Sequence, residues 1–472
     1  MITLQILSTE DIESIHKASF EVLEKTGIAI KNTSALDLLD NAGCTVEDQQ
    51  VKFPSSLVEE SIRKVPSTFD IYNREGDPKF RIGSRNVVFN PGSSAVYFKD
   101  RQTGHVRKGN QNDCVELIQL VEHLEHIQLQ STALIPSDVN ETLSGIFRLY
   151  LVLKHSSKPI VTGAFRKEDV MNMKSLLVSV VGSSKELIQK PRAIFDCCPT
   201  SPLTWDDTAT QHLLDCTTSG IPATLVPAPL IGATSPITIQ GTLIQSNAEI
   251  LGGVVISQLQ NPGSRVIYGG APGTFDMKYG TPRFSSVEAF LTACASSELG
   301  KHYGLPTHAY LGTSDSKIED SQSGWETAVG AILGALSGIN VISGPGMLAQ
   351  LNCQSLEKLV IDNEICAASL RFSRGIELEN IDAITELIGK VGPGGNYLGQ
   401  KHTSTKLRSE HLMPSNLVDR LTGDTWINSG SKNTLDRAKE MVESILGQHS
   451  NKYPESLNDL EQTFEKIKEK YR

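Results

Sequence analysis

Short apolar stretches alternate along the chain with longer amphipathic segments, and this alternation is the strongest signal in the sequence. Eight apolar stretches recur roughly every 30 to 40 residues, the length that a strand and its crossover helix need together. They occupy residues 87–98, 126–136, 158–165, 191–203, 221–234, 264–273, 306–316 and 339–347. Eight consecutive strand–helix units predict an α/β protein with a closed (β/α)8 TIM barrel, in which the chemistry lies at the C-terminal ends of the strands.

The sequences on either side of this alternating region predict two additions to the barrel. Residues 1–86 carry three helical patterns and then a strand-rich passage, and they predict an N-terminal helical cap. The barrel is expected over 87–375. Residues 376–472 begin as loop and become amphipathic and charged after 433, which predicts a C-terminal loop and helical extension. We expect its last helices either to wrap back onto the barrel or to form the contact of a homo-oligomer.

Composition indicates an acidic globular protein. There are 44 Lys and Arg residues against 54 Asp and Glu residues, which gives a net charge of −10. The sequence has no basic stripe of the kind that would predict a nucleic-acid partner. No apolar run approaches the ~18 residues that a membrane span requires. The first residues also lack the basic and apolar regions of a signal peptide. We therefore expect a cytoplasmic protein without a membrane partner.

The motifs of common barrel enzymes are missing, since the chain contains neither GxSxG nor HExxH. Isolated acid/base candidates stand at predicted strand ends, at Asp138, Asp196 and Asp315, without forming an evident carboxylate pair. Cys197 and Cys198 end the fourth predicted strand and His308 lies on the seventh, which makes them candidates for zinc. However, vicinal side chains of a strand point to opposite faces, and the sequence contains no His-x-Cys. We therefore expect no metal site.

Aromatic side chains give a better indication of chemistry. Only 6% of the residues are aromatic, yet several fall at or near predicted strand ends. These are Tyr97, Phe98, Phe165, Trp205, Tyr268, Phe275, Tyr310 and Trp325. Each one alone also fits a core position, but a ring of them around a barrel mouth would hold a quaternary ammonium group by cation–π attraction. Asp315 is the acidic residue expected to assist them.

Four segments of the chain resemble the trimethylamine methyltransferase superfamily. They are NAEILGGVVISQLQNPGSRVIYGG (247–270), GTSDSKIEDSQSGWE (312–326), SLEKLVIDNE (355–364) and GPGGNYLGQKHT (392–403), and the similarity extends over nearly the whole chain. The resemblance implies a (β/α)8 barrel that moves a methyl group from a methylamine to the cobalt of a separate corrinoid protein. The archaeal trimethylamine enzymes of the family carry pyrrolysine, whereas this sequence has only the twenty ordinary residues. The chain therefore resembles the non-pyrrolysine branch, whose known members demethylate quaternary amines such as glycine betaine, proline betaine or carnitine.

The resemblance implies glycine betaine as the expected substrate and a cognate corrinoid protein as the partner. No tightly bound cofactor is expected, because cob(I)alamin and its product methylcobalamin would be cosubstrates on that partner. A quaternary amine leaves as a neutral amine and needs no protonation. The enzyme has to hold the cation, orient one methyl group and exclude water, so no catalytic acid or base is assigned.

The predicted substrate-binding residues are of two kinds. The expected aromatic cage is Tyr97, Phe98, Tyr268 and Tyr310, assisted by Asp315. The polar candidates for the substrate carboxylate are Asn352, Gln400 and His402. Two other functions stay open at this point, a zinc-dependent methyltransferase or lyase on the same barrel and a non-catalytic betaine-binding or sensing protein.

Overall fold

A computed structural model describes residues 2–448 and 457–471 of the chain. Its helices are α1 Thr9–Glu21, α2 Thr33–Asn41, α3 Ser55–Lys64, α4 Gln111–His123, α5 Glu141–His155, α6 Asp169–Val181, α7 Ser184–Gln189, α8 Asp207–Ser219, α9 Ile239–Gln260, α10 Val287–His302, α11 Ser321–Ser337, α12 Leu356–Arg374, α13 Ile381–Val391, α14 Lys401–Glu410, α15 Gly423–Asn428, α16 Thr434–Gly447 and α17 Asn458–Glu469. Its strands are β1 Ile28–Ile30, β2 Thr45–Glu47, β3 Gln50–Lys52, β4 Thr68–Tyr72, β5 Pro78–Gly83, β6 Val88–Asn90, β7 Tyr97–Lys99, β8 Val106–Lys108, β9 Gln130–Ser131, β10 Ile160–Gly163, β11 Ala193–Cys197, β12 Thr204–Trp205, β13 Ala223–Leu225, β14 Leu230–Ile231, β15 Val266–Tyr268, β16 Gly273–Asp276, β17 Thr281–Arg283, β18 His308–Tyr310, β19 Val341–Ser343, β20 Met347–Leu348 and β21 Cys353–Gln354.

Each of the eight apolar stretches contains one strand that runs parallel to its neighbours. Five of these strands form a sheet in the order β15–β13–β11–β10–β9, and three form a sheet in the order β18–β19–β6. Two backbone hydrogen bonds connect the sheets. The Tyr268 amide donates to the Pro306 carbonyl at 2.8 Å, and the Leu129 amide donates to the Phe89 carbonyl at 3.0 Å. The chain therefore has a mixed α/β fold with the predicted parallel strands.

An apolar cluster lies inside the curved sheets. Alternate strand residues point to opposite faces, so five strands contribute one inward side chain each, and Leu129 adds another just before β9. These are Val88, Leu129, Val161, Ile194, Ile267 and Val341. The β4–β5 hairpin adds Phe69, Ile71 and Ile82 to the cluster, and its Tyr72 amide donates to the carbonyl of Pro191, just before β11. The hairpin therefore fills the space at the N-terminal ends of the strands.

The three N-terminal helices cover the helix layer rather than the strands. Helices α1, α2 and α3 pack on α9, which α8 and α10 flank, and α9 is therefore buried along most of its length. A capping box begins α1, since the Ser8 hydroxyl accepts from the Asp11 amide and the Asp11 carboxylate accepts from the Ser8 amide, both at 3.1 Å. Strand β1 pairs with both β3 and β12, which fastens this region to the loop after β11.

The C-terminal extension contains both packed and unpacked helices. α16 packs on α12 and α4, and α17 packs on α5 and α6, so these helices wrap back onto the helix layer. Residues 449–456 and 472, which belong to the same predicted extension, lie outside the described residues. The start of the extension, which the sequence predicted as loop, contains the two helices α13 and α14. None of the described helices is long and apolar enough to cross a membrane.

Candidate functional site

Polar side chains replace the apolar cluster one step further along the strands. Ser343 pairs in register with both Asn90 and Tyr310, just as Val341 pairs with Val88 two residues earlier. Because side chains alternate along a strand, Asn90, Tyr310 and Ser343 share the inward face with the apolar cluster. Asp196 likewise follows the inward Ile194 on β11. The C-terminal ends of β6, β11, β18 and β19 therefore direct polar groups to the interior.

Asn90, Ser343 and His308 form a buried hydrogen-bonded group at the strand ends. The Asn90 Nδ2 donates to Ser343 Oγ at 2.8 Å, and His308 Nε2 lies 2.9 Å from the same oxygen. Burial lowers the pKa of His308 to about 3, so its imidazole is neutral. Its Nδ1 has no hydrogen-bond partner among the described residues. These three side chains provide a rigid, uncharged floor.

Asp196 is the least compensated acid at this end of the strands. Burial raises the pKa of its carboxyl group to about 7, and a hydrogen bond from Thr224 opposes that rise. Its Oδ1 has no hydrogen-bond partner within residues 2–448 and 457–471. A buried carboxylate without a counter-charge is costly, so a cation placed beside it would stabilise its ionised form.

Tyr310 and Cys198 mark a recess next to Asp196. The Tyr310 ring is half-buried and the Cys198 side chain is exposed, yet burial raises the pKa of both groups. The negative charge of Asp196 raises the pKa of both further. Both groups therefore lie close enough to Asp196 to be influenced by its charge. We call the group formed by Asp196, Cys198, Tyr310 and the His308 floor at the C-terminal ends of the strands the strand-end recess.

The Tyr310 ring is held closely on two sides. It meets the His308 ring edge-on, with 5.3 Å between the ring centroids. On the other side the chain passes at Gly92, where an added Cβ would lie 3.1 Å from Tyr310 Cε1 and 2.6 Å from Met347 Sδ. Gly92 also has a φ of 76°, which disfavours other residues. The ring orientation is therefore set by its surroundings.

Tyr97, Phe98 and Asn352 lie together on a separate sheet. The Tyr97 amide donates to the Asn352 carbonyl at 2.9 Å, and the Tyr97 side chain is 42% exposed. Phe98 points the other way into the core, where the Arg107 guanidinium lies 5.5 Å from its ring centroid. Phe98 is therefore a core residue and not part of an open cage. The predicted roles of Tyr97 and Asn352 in substrate binding stay predictions.

The expected position of Tyr268 at the mouth is wrong. Ile267 faces the apolar cluster, so the side chain of Tyr268 points outward into the helix layer. There it is 1% exposed, and its hydroxyl donates to Asn247 Oδ1 on α9 at 3.0 Å. A ligand at the strand ends does not reach this ring, and Tyr268 is a core residue.

Asp315, Gln400 and His402 do not lie together at one site. The Asp315 carboxylate accepts from the amides of Phe284 and Ser285 at 3.1 and 3.0 Å, so both oxygens hold the loop after β17. Gln400 precedes α14, and His402 Nε2 on that helix lies 3.6 Å from Glu379 Oε2. The role of these residues in substrate binding stays a prediction.

The recess differs from the predicted site mainly in its acid. Of the residues of the predicted cage, Tyr310 lies there. The sequence marks Asp196 only as an isolated acid, and Cys198 and His308 only as candidates for zinc. In the part of the chain that the structure describes, no group of three or more His, Cys, Asp or Glu side chains is placed to hold a metal ion. The available signal for Asp196 was an acid at an inward position of the otherwise apolar strand AIFDC (193–197).

Comparisons with known proteins agree with the resemblance noted in the sequence. The family described as trimethylamine methyltransferase (MTTB) matches residues 1–465. The chain is 30% identical over 441 residues to a trimethylamine methyltransferase of Desulfitobacterium hafniense, covering 93% of this chain and 88% of the relative. It is 32% identical over 467 residues to a trimethylamine methyltransferase of Methanosarcina barkeri, covering 95% and 92%. It is 29% identical over 446 residues to a glycine betaine methyltransferase of Desulfitobacterium hafniense, covering 94% and 92%.

Among solved structures, the monomethylamine methyltransferase of Methanosarcina barkeri superposes with a TM-score of 0.58. The alignment covers 93% of this chain and 88% of that one at 13% identity, so it speaks for the fold alone. The relatives define the class of the protein, which is a methyltransferase. The chain belongs to the trimethylamine methyltransferase family.

Proposed function

We propose that the protein moves a methyl group from a quaternary amine, with glycine betaine as the favoured substrate, to cob(I)alamin carried by a cognate corrinoid protein. Its relatives include both trimethylamine and glycine betaine methyltransferases at similar identity, so the choice of substrate rests on the residues of this chain. Pyrrolysine is absent from its sequence, which favours the quaternary amine.

We also propose that the eight parallel strands close into a (β/α)8 barrel over residues 87–375, between an N-terminal cap (1–86) and a C-terminal extension (376–472). The two hydrogen bonds that join the sheets, from Tyr268 to Pro306 and from Leu129 to Phe89, support this closure. The strand-end recess then lies at the C-terminal mouth, where barrel enzymes have their active sites.

The Asp196 carboxyl group carries the proposal, because its Oδ1 has no partner among the described residues and its charge acts on Tyr310. A quaternary ammonium group has no N–H and is held by opposite charge and by aromatic faces rather than by hydrogen bonds. Asp196 supplies the charge, and the half-buried ring of Tyr310 supplies the face. Tyr97 and Asn352, with Gln400 and His402, remain the proposed contacts to the rest of the substrate.

The reaction requires little of the protein beyond binding and orientation. The carrier protein's corrinoid supplies a cobalt nucleophile. The bond between nitrogen and the methyl carbon breaks, nitrogen keeps the electron pair and the methyl group goes to cobalt, so no proton is exchanged. The neutral His308 floor is suited to this chemistry, because it neither donates charge to the substrate nor competes with it for Asp196. The recess excludes water and fixes one methyl group toward the opening.

A methyl-transfer assay with free cob(I)alamin tests the proposal. Glycine betaine, proline betaine, carnitine, trimethylamine and dimethylglycine would be compared at equal concentration. We expect transfer from a betaine and little from trimethylamine or dimethylglycine, and a comparable rate on trimethylamine would contradict the quaternary preference. Binding of betaine without turnover would identify a binding protein instead. Stoichiometric zinc in the purified protein would favour a zinc-dependent reaction.

A further inference from the structure

The segment between α12 and α16 exposes apolar side chains that the described chain leaves uncovered. Residues 376–416 contain no buried side chain at all. Several large apolar residues there are more than half exposed, namely Ile376, Leu378, Ile381, Ile388, Leu398 and Met413. Exposed apolar residues concentrated in one segment mark an interaction surface, because isolated ones are normally scattered.

Helix α13 carries the most regular part of this surface. Ile381, Ile384, Ile388 and Val391 follow one another at spacings of three, four and three residues, the pattern of a helix-pairing seam. None of its eleven residues is buried. An isolated helix shorter than roughly 12 to 15 residues is marginal in water, so α13 needs a second apolar surface to be stable.

The apolar positions of α13 are symmetric about Glu386. Ile381 and Val391 are equally far from this centre, and so are Ile384 and Ile388. Leu387 stands at the flank of the seam next to the centre. The charged residues Asp382, Glu386 and Lys390 all lie on the opposite side of a helical wheel. A helix with this pattern is complementary to its own antiparallel copy.

We propose that α13 pairs with α13 of a second copy of this chain, antiparallel and about a two-fold axis at Glu386. Ile381 then faces Val391 of the partner copy, Ile384 faces Ile388, and the two Leu387 side chains meet beside the axis. Such self-complementary contacts are the rule in two-fold dimers.

Charge favours the antiparallel arrangement over a parallel one. The N-terminal end of α13 is acidic, with Glu377, Glu379 and Asp382. Its C-terminal end is basic, with Lys390 in the last turn and Lys401 beyond the helix. Antiparallel pairing brings unlike ends together and also opposes the two helix dipoles. Parallel pairing would place the two acidic ends side by side.

The size of the segment also suits a dimer. A standard stable interface uses roughly 20 to 30 residues from each partner. Residues 376–416 exceed that number, and α14 remains attached to the start of α13 through Lys406 Nζ, which lies 2.5 Å from Glu379 Oε1. The α13 pair would form the centre of the contact and the flanking apolar residues its surroundings.

Sedimentation velocity of the full-length protein, with and without changes in the seam, tests the proposal. We expect the wild type to be a dimer at ~10 µM. Ile388→Glu places two buried carboxylates in each dimer and should raise the dimer dissociation constant by roughly 100-fold or more. The matched control is Ala383→Glu, which adds the same charge on the side away from the seam and should leave the dimer intact. All three proteins should melt at similar temperatures when compared as monomers, because Ile388 and Ala383 are exposed.

A monomeric wild type, or an Ile388→Glu variant that remains a dimer, would overturn the proposal. Crosslinking then tests the direction of pairing. Two copies of Leu387→Cys meet at the axis and should be joined by a short bismaleimide. Two copies of Val391→Cys, a seam position five residues from the centre, stand ~15 Å apart along an antiparallel pair and should not be joined, whereas a parallel pair would bring them together. Equal crosslinking of both variants would indicate a parallel pair and contradict the two-fold arrangement, and the wild type gives the background from its own cysteines.

Discussion

The carboxylate of Asp196 raises the pKa of the Tyr310 hydroxyl, although the two residues belong to strands that are not neighbours. Asp196 lies on β11 and Tyr310 on β18, and β13 and β15 stand between them. The interaction therefore crosses the interior rather than running along a sheet. An acid and an aromatic ring that both project inward at these strand ends are the two groups that the proposed site for a quaternary ammonium group requires.

Replacing Asp196 by Asn should weaken betaine binding strongly. A buried interaction with a charged group contributes about 1.5–3 kcal/mol, so the dissociation constant should rise roughly 10- to 100-fold. Calorimetric titration of glycine betaine measures it. Asp315→Asn is the matched control, since its carboxylate already holds two backbone amides and its loss should lower the melting temperature while affinity changes little. The reverse ranking of the two variants would reject Asp196 as the cation partner.

Betaine affinity should fall as the pH is lowered through neutrality. The empty site has an Asp196 pKa of about 7, and the cation binds the ionised form, so binding must displace a proton from the protonated fraction. Affinity should be nearly constant above about pH 8 and should decrease up to tenfold per pH unit well below pH 7. Titrations in buffers of different ionisation enthalpy report the released proton. Asp196→Asn should show a flat profile, and an equally steep profile in that variant would assign the titration to another group.

Changes at Tyr310 should separate the ring from its hydroxyl. A desolvated cation–π contact is worth about 2 kcal/mol, so Tyr310→Ala should weaken betaine binding roughly thirtyfold. Tyr310→Phe keeps the aromatic face and should bind nearly as well as the wild type. Dissociation constants of both variants decide this, with melting curves to establish that each one folds. Similar losses in both would mean that the hydroxyl rather than the ring contacts the ligand.

Tyr268 should behave as a core residue. Tyr268→Phe removes the hydrogen bond to Asn247 and leaves that amide without this partner. The free energy of unfolding should therefore decrease by about 1–3 kcal/mol. Betaine affinity of the folded variant should stay within about twofold of the wild type, because the ring lies outside the strands. Chemical denaturation measures the first quantity and calorimetry the second. A loss of betaine affinity without a loss of stability would contradict this assignment and indicate that Tyr268 contacts the ligand.

The sequence predicted the strands well because their signal is local. An apolar stretch between helices identifies a strand, and all eight such stretches contain one. It was harder to predict from the sequence which face of the strand each side chain occupies, because a shift of one residue exchanges the two faces. Tyr268 was assigned to the wrong face for this reason. The sequence also could not show that Asp196 lacks a counter-charge, because its neighbours in space come from several strands.

The helices α13 and α14 were missed because glycines around residues 392–399 predicted loop. Glycine does interrupt helices, but here it only separates two of them. Asp315 shows a different difficulty. The sequence marks an acid near a strand end as a ligand candidate, but it does not show that both carboxylate oxygens also accept hydrogen bonds from the backbone of a neighbouring loop.

The β4–β5 hairpin has a kinetic consequence for the proposed reaction. Phe69, Ile71 and Ile82 occupy the space at the N-terminal ends of the strands, so in the proposed barrel a small amine would reach Asp196 from the opposite end. A docked corrinoid protein would cover that same opening. The amine must then enter before the carrier docks, and the demethylated amine must leave after the carrier departs. Steady-state turnover should accordingly follow a compulsory order, with excess carrier slowing the reaction by blocking entry of the substrate.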